Sequence, residues 1–61
     1  MKVVILNRTE YQQFVDLSGK NNPEKIVAIP PKSKIIAEVD SIKVLYKIEK
    51  ENKNLIVRKI N

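Results

Sequence analysis

Glu38 and Asp40 stand two residues apart in KIIAEVD, and on a regular strand their carboxylates share one face. Such a pair can hold a metal ion or divide the roles of acid and base. Lys34 and Lys43 flank it, however, and interspersed charges are how edge strands ordinarily meet water. Other reactive groups are scarce. Ser33 and Ser41 have no histidine to activate them, because the chain contains no His and no Cys. The commonest general base, the commonest metal ligand and any thiolate are therefore missing. The composition argues against an enzyme, and no cofactor or metal site is expected.

What the chain does concentrate is positive charge. Twelve basic residues against seven acidic ones give a net charge of +5. Lys43, Lys47, Lys50, Lys53, Arg58 and Lys59 all fall between residues 42 and 60. A basic balance favours acidic partners: nucleic acid, an anionic membrane or an acidic protein. On a two-stranded ribbon these six side chains could follow a phosphate backbone or enter a major groove, and they are the nucleic-acid contact candidates. Three features weigh against that use. Arginine, the better reader of phosphates and bases, occurs only at Arg8 and Arg58. Tyr46, the one aromatic in the stretch, aligns with an apolar row instead of offering a stacking surface. Glu49 and Glu51 also dilute the patch.

The element that would carry these charges is the stretch IKVLYKIEKENKNLIVRKI, residues 42–60. Ile42, Val44, Tyr46 and Ile48 alternate with Lys43, Leu45, Lys47 and Glu49, which is the period of a strand with one buried face. Leu55, Val57 and Lys59 alternate with Ile56, Arg58 and Ile60 in the same way. The polar run KENKN between them suits a turn, and the whole reads as a C-terminal β-hairpin. Parity allows two registers. One sets Lys47 against Arg58, a like-charge pair; the other sets Ile48 against Leu55 and Tyr46 against Val57, and is preferred. In either register Leu45, Ile56 and Ile60 land among charges on the second face. They are the candidates for contact with a partner or a second subunit.

Upstream, KVVIL at residues 2–6 is a short run rich in β-branched residues and reads as a strand buried on both faces. Thr9 with Gln12 three residues on fits a capping box. Tyr11, Phe14, Val15 and Leu17 follow helical spacing, and Gly19 stands where a left-handed C-cap residue belongs. These signals predict a helix over residues 10–17. The polar loop KNNPE follows; its Asn residues could cradle an anion, although a solvated loop explains them as well. KIVAI at residues 25–29 is a second strand, ended by Pro30 and Pro31. It would lie parallel to the first strand if the helix crosses over, and antiparallel otherwise. Residues 34–39 form a third strand. Asp40 and Ser41 either close a tight turn or bulge one long strand that runs on. Ile35, Val39, Ile42 and Tyr46 also follow helical spacing, but β-branched residues dominate the stretch and favour strand.

The fold class is therefore α+β: one domain spanning residues 1–61, with a mostly antiparallel sheet of four to five strands, one short helix and the C-terminal hairpin. A chain of this length buries only about 60% of the surface that it exposes unfolded. With no Cys it has no disulfide staple, and small unstapled domains often associate. A homodimer is expected. No stretch approaches the roughly 20 apolar residues that span a bilayer, and no secretory signal is evident, so a cytoplasmic location is expected with no membrane contact. Apolar residues on both sheet faces, together with open edge strands able to add a strand from a partner or from their own copy, favour a non-catalytic module that binds a protein. Nucleic-acid binding is the alternative.

Overall fold

The computed structural model describes residues 1–60. Five strands and one helix follow in the order β1 (Lys2–Asn7), β2 (Gln13–Asp16), β3 (Ile26–Ile29), β4 (Lys34–Glu38), α1 (Ile42–Glu51) and β5 (Leu55–Lys59). A single 3-10 turn, Pro23–Lys25, precedes β3. The strands make two antiparallel sheets, one in the order β4-β1-β5 and the other the hairpin β2-β3. The α+β class, the antiparallel pairing and the presence of one helix are as expected. The positions of the helix and of the hairpin are not.

The helix lies at Ile42–Glu51, in the stretch expected to begin the C-terminal hairpin. Residues 42–60 carry two periods at once. Read with period two, Leu45 falls on the wet face. Read with period 3.6, Leu45 and Ile48 are one turn apart and share a stripe. The helical period prevails: Leu45 and Ile48 are both buried, while Lys43, Tyr46, Lys47 and Lys50 face water. Leu, Lys, Glu and Tyr make most of the segment, and the straight-chain members lose little rotamer freedom in a helix. Ser41 occupies the N-cap in an extended conformation, and at the other end both the N–H and the Nδ2 of Asn52 donate to the Ile48 carbonyl, at 2.9 Å each. Lys50 in the last turn suits the helix dipole. β5 remains a strand, but its partner is β1, with Ile5 opposite Val57 and Asn7 opposite Leu55.

Residues 10–17 are not a helix. They turn and then extend as β2, with Phe14 opposite Ala28 and Val15 opposite Val27. The capping-box hydroxyl is already engaged, since Thr9 Oγ1 donates to Asn7 Oδ1 at 2.7 Å. A helix of two turns is marginal by itself, whereas an extended β2 satisfies the backbone of β3 along one edge. The positive φ expected at Gly19 is present, at +69°, but it belongs to the loop after β2. That loop rests on α1: a Cβ at Gly19 would stand 3.5 Å from the Lys47 side chain and 3.7 Å from Val44. The Lys47 ammonium donates to the Gly19 carbonyl. The parallel crossover is excluded by the β2-β3 pairing.

The core lies on one side of the three-stranded sheet. Val3 and Ile5 of β1 and Leu55 and Val57 of β5 point into it, and Val15, Ile29, Leu45 and Ile48 close over them. Two layers result, with the sheet below and the hairpin and α1 above. Asn7, fully buried, fastens them at one end. Its Nδ2 donates to the carbonyls of Tyr11 (2.8 Å), Ile29 (2.9 Å) and Pro30 (3.1 Å), and its Oδ1 accepts the N–H of Thr9 at 2.9 Å. Its own N–H reaches the Ser33 carbonyl at 2.8 Å. One side chain thus ties the end of β1 to the turn before β2 and to the exit of β3.

Two stability measurements check this arrangement. Leu45 is 4% exposed and Tyr46 60% exposed, the reverse of what a strand over residues 42–49 requires. In urea unfolding, Leu45→Ala should cost about 2–5 kcal/mol, while Tyr46→Ala should stay within about 0.5 kcal/mol. Asn7→Ala should remove about 2–4 kcal/mol by orphaning buried carbonyls, a large share of the roughly 3–9 kcal/mol typical at this length.

Candidate functional site

The sequence candidates for chemistry do not converge. The Glu38 carboxylate accepts from the N-terminal ammonium of Met1 at 3.2 Å. Asp40 is exposed in the bend between β4 and α1. Ser33 donates to the Pro31 carbonyl at 3.2 Å, and Ser41 is taken up by the helix start. Among the described residues no three His, Cys, Asp or Glu side chains group as metal ligands. The loop after β2 does cradle an anion, but that anion is the chain's own Asp16. One carboxylate oxygen accepts the Ser18 hydroxyl (2.6 Å) and N–H (2.9 Å), and the other accepts the Asn22 N–H at 3.2 Å. No helix among the described residues is long and apolar enough to cross a membrane.

The six basic candidates divide into two groups. Lys43, Lys47 and Lys50 follow i, i+4, i+7 spacing and form one exposed stripe along α1, with Tyr46 beside it. Lys53 is exposed in the turn after the helix. Arg58 and Lys59 lie on β5, where Arg58 reaches back to Glu49 of α1 at 3.4 Å. Between α1 and β5, Arg58 and Lys59 alone of the six border an open hollow of about 340 Å³, with Tyr46, Glu49 and Val57 in its walls. The ribbon expected to carry all six does not exist, because half of them sit on a helix.

The three contact candidates also separate. Leu45 is in the core and is not offered to a partner. Ile56 and Ile60 do lie on the opposite face of the sheet from the core, as parity required. Leu6 stands beside Ile56, and Val4 stands between Ile36 and Arg58. Val4, Leu6, Ile36, Ile56 and Ile60 therefore share one outer face. Val4, Leu6 and Ile56 are half-buried, whereas Ile36 is 68% and Ile60 47% exposed. No described element covers this face, because α1 and the hairpin both pack on the core side.

Val4, Leu6 and Ile36 were legible as apolar but not as surface. KVVIL reads as a strand buried on both faces, yet only Val3, Ile5 and Asn7 are buried. The available signal was the shortage of cover: one short helix cannot roof both sides of a sheet. A second, smaller apolar patch lies on the outer side of the hairpin, where Phe14, 61% exposed, and Ile26 flank Ala28.

The outer sheet face has a mostly basic border. Lys34 follows Leu6 across the strands, Lys2 lies beside Ile60, and Arg58 lies beside Val4. At the end of β1, Arg8 and Lys32 line a hollow of about 210 Å³ that Leu6 also borders. Glu38 is the acidic member of the border, and the N-terminal ammonium partners it. Compared with protein-family models, curated proteins and solved structures, the chain matches none.

The Asp16 cradle generates a pH dependence. The Ser18 hydroxyl, followed by the backbone N–H groups of Ser18, Asn21 and Asn22, holds the carboxyl below its ordinary value of 3.8 against a smaller cost of desolvation. A depressed folded-state pKa contributes stability that is complete above the unfolded value and lost as pH falls through the folded one. The loop from Asp16 to Asn22 should therefore hold above pH 3.8 and loosen below it. Amide shifts of Ser18 and Asn22 followed by NMR during an acid titration should report one shared midpoint below 3.8, absent in Asp16→Asn.

Proposed function

We propose that this protein is a non-catalytic binding module whose working surface is the outer face of the β4-β1-β5 sheet. The observation that supports it is the contiguous aliphatic patch of Val4, Leu6, Ile36, Ile56 and Ile60, held on three paired strands and left uncovered. Solvated sheet faces normally alternate to polar residues, and exposed aliphatics grouped within a polar rim mark interaction sites. The occupant that fits is an apolar patch on an acidic protein. Lys2, Lys34, Arg8 and Lys32 around the face would steer and orient carboxylates. Aliphatic side chains suit a protein better than nucleic-acid bases, which stack on aromatic rings. Acting by occupancy, as an inhibitor or adaptor does, requires no reactive group.

A second reading rests on α1. Its Lys43, Lys47 and Lys50 stripe would lie along a phosphate backbone, with Lys53, Arg58 and Lys59 nearby. It is less favoured because Lys47 is spent on the Gly19 carbonyl and Arg58 on Glu49.

Site-specific photocrosslinking separates the two. A benzoylphenylalanine placed at Ile60, at Tyr46 or at Phe14, in the source cell, samples the outer face, the helix and the hairpin in turn. The expected result is one discrete protein adduct from the Ile60 position that Ile56→Glu removes and that high salt weakens, with no such adduct from Phe14. Binding of DNA or RNA oligonucleotides at about 50 mM salt, steeply salt-dependent and abolished by Lys43→Glu with Lys50→Glu, would instead establish the helical stripe as the site.

A further inference from the structure

The two outer strands of the three-stranded sheet are not equally open. On β5, the Arg58 guanidinium donates to the Val57 carbonyl at 3.3 Å and then to Glu49 of α1, so this edge is already crossed by a side chain. β4 pairs only with β1. The direction of its backbone groups follows from two hydrogen bonds at its ends. Asn7 N–H donates to the Ser33 carbonyl and Val39 N–H donates to the Met1 carbonyl. With Val3 opposite Ala37 and Ile5 opposite Ile35, the odd-numbered residues of this strand are the ones that bond to β1. The N–H and C=O groups of Lys34, Ile36 and Glu38 therefore point away from the sheet. None of them has a partner among the described residues.

We infer that this edge pairs with the same edge of a second copy of the chain, antiparallel, about a two-fold axis midway between the two Ile36 residues. The sequence of β4, KIIAE, is complementary to itself about its middle residue. In that register Ile36 faces Ile36 of the partner subunit, Lys34 faces the partner's Glu38, and Glu38 faces the partner's Lys34. All three are pairs that exchange both backbone hydrogen bonds. The opposite charges meet on one face, and the central isoleucines meet between them. Between those rows Ile35 meets the partner's Ala37, so a large side chain stands against a small one on the core side.

Other registers lose this match. A shift of two residues sets Lys34 against the partner's Ile36 and carries Glu38 past the end of the partner's strand, to the turn residue Lys32. A shift of one turns each outward N–H toward an inward-facing group and puts aliphatic rows against charged ones. The selected register is isologous, as a closed dimer requires. A two-fold axis normal to the sheet keeps both outer faces on the same side. Two patches then join across the isoleucine pair into one apolar surface on a six-stranded sheet, and the exposed Ile36 acquires a neighbour. The net charge of +5 per chain opposes association, but each Lys34–Glu38 pair sets opposite charges together, and charges at range are screened beyond about 8–10 Å. This pairing does not depend on what the outer face binds.

Sedimentation velocity across a wide concentration range, paired with charge reversal, tests it. The wild type should form a dimer. Lys34→Glu replaces both charge pairs with like-charge pairs and should weaken the dimer about tenfold or more. Lys34→Glu with Glu38→Lys should restore it, a rescue that damage to the fold cannot produce. The chain has no Cys, so Ile36→Cys supplies a unique probe: a Cα separation of about 5.5 Å in such a pair lies within disulfide reach. Oxidation should link the subunits at that position and not in Ile60→Cys. A wild type that stays monomeric throughout, a dimer indifferent to the charge reversal, or one broken by Ile56→Glu and not by Lys34→Glu would overturn the proposal.

Discussion

A carboxamide with no access to water decides how this small fold closes. Asn7 ends the central strand of the sheet, and its Nδ2 shares two hydrogens among three carbonyls that belong to the turn before β2 and the exit of β3. In a protein interior an unpaired carbonyl costs about 1–3 kcal/mol. The three oxygens would be poorly served by any apolar side chain of the same volume. The hairpin is thus held over one face of the sheet at the point where the aliphatic cluster alone would leave the approach of the two layers unspecified. No buried side-chain polar atom among the described residues lacks a partner, so the fastening is complete and not merely tolerated.

From that fastening the rest follows by subtraction. The hairpin and α1 are committed to the same side of the sheet, and no described element is left for the other side. Val3, Ile5, Leu55 and Val57 are covered; Val4, Leu6, Ile36, Ile56 and Ile60 are not. The open side of a half-covered antiparallel sheet normally alternates to polar residues, and β1 does not do so from Val3 to Leu6. The aliphatic open face and the bare, self-complementary edge of β4 are two consequences of one shortage of cover.

Much of the architecture was legible. The runs KVVIL, KIVAI and KIIAE are strands because β-branched residues bounded by polar or proline breaks have few other stable uses. Gly19 takes a positive φ because the chain turns there, whichever element precedes it. The helix was assigned to the wrong segment because local signals point both ways. Thr9 is a good cap and a good partner for a buried Asn; Tyr11 and Phe14 look like a core stripe and are exposed. In residues 42–51, apolar and charged side chains fit period two and period 3.6 almost equally. The one residue that distinguishes them is Leu45, which is an error on a strand and a core residue on a helix. Of the contact candidates, Ile56 and Ile60 were located correctly by parity alone, since the parity of β5 does not depend on its partner.

The sequence by itself determined the class of elements, the absence of His and Cys chemistry, the excess of positive charge and the surplus of aliphatic residues over what one small core can bury. Those are counts and local patterns, and they survive any arrangement. The partner of β5, the side of the sheet that is roofed, and the separation of the basic residues between helix and strand were decided only by the tertiary structure. Each depends on contacts between segments distant in the chain: Asn7 with Ile29, Ile5 with Val57, Val3 with Ala37. No local periodicity encodes which of two equally apolar faces the remaining elements will find, because that choice is made by the shape and hydrogen-bonding of the whole.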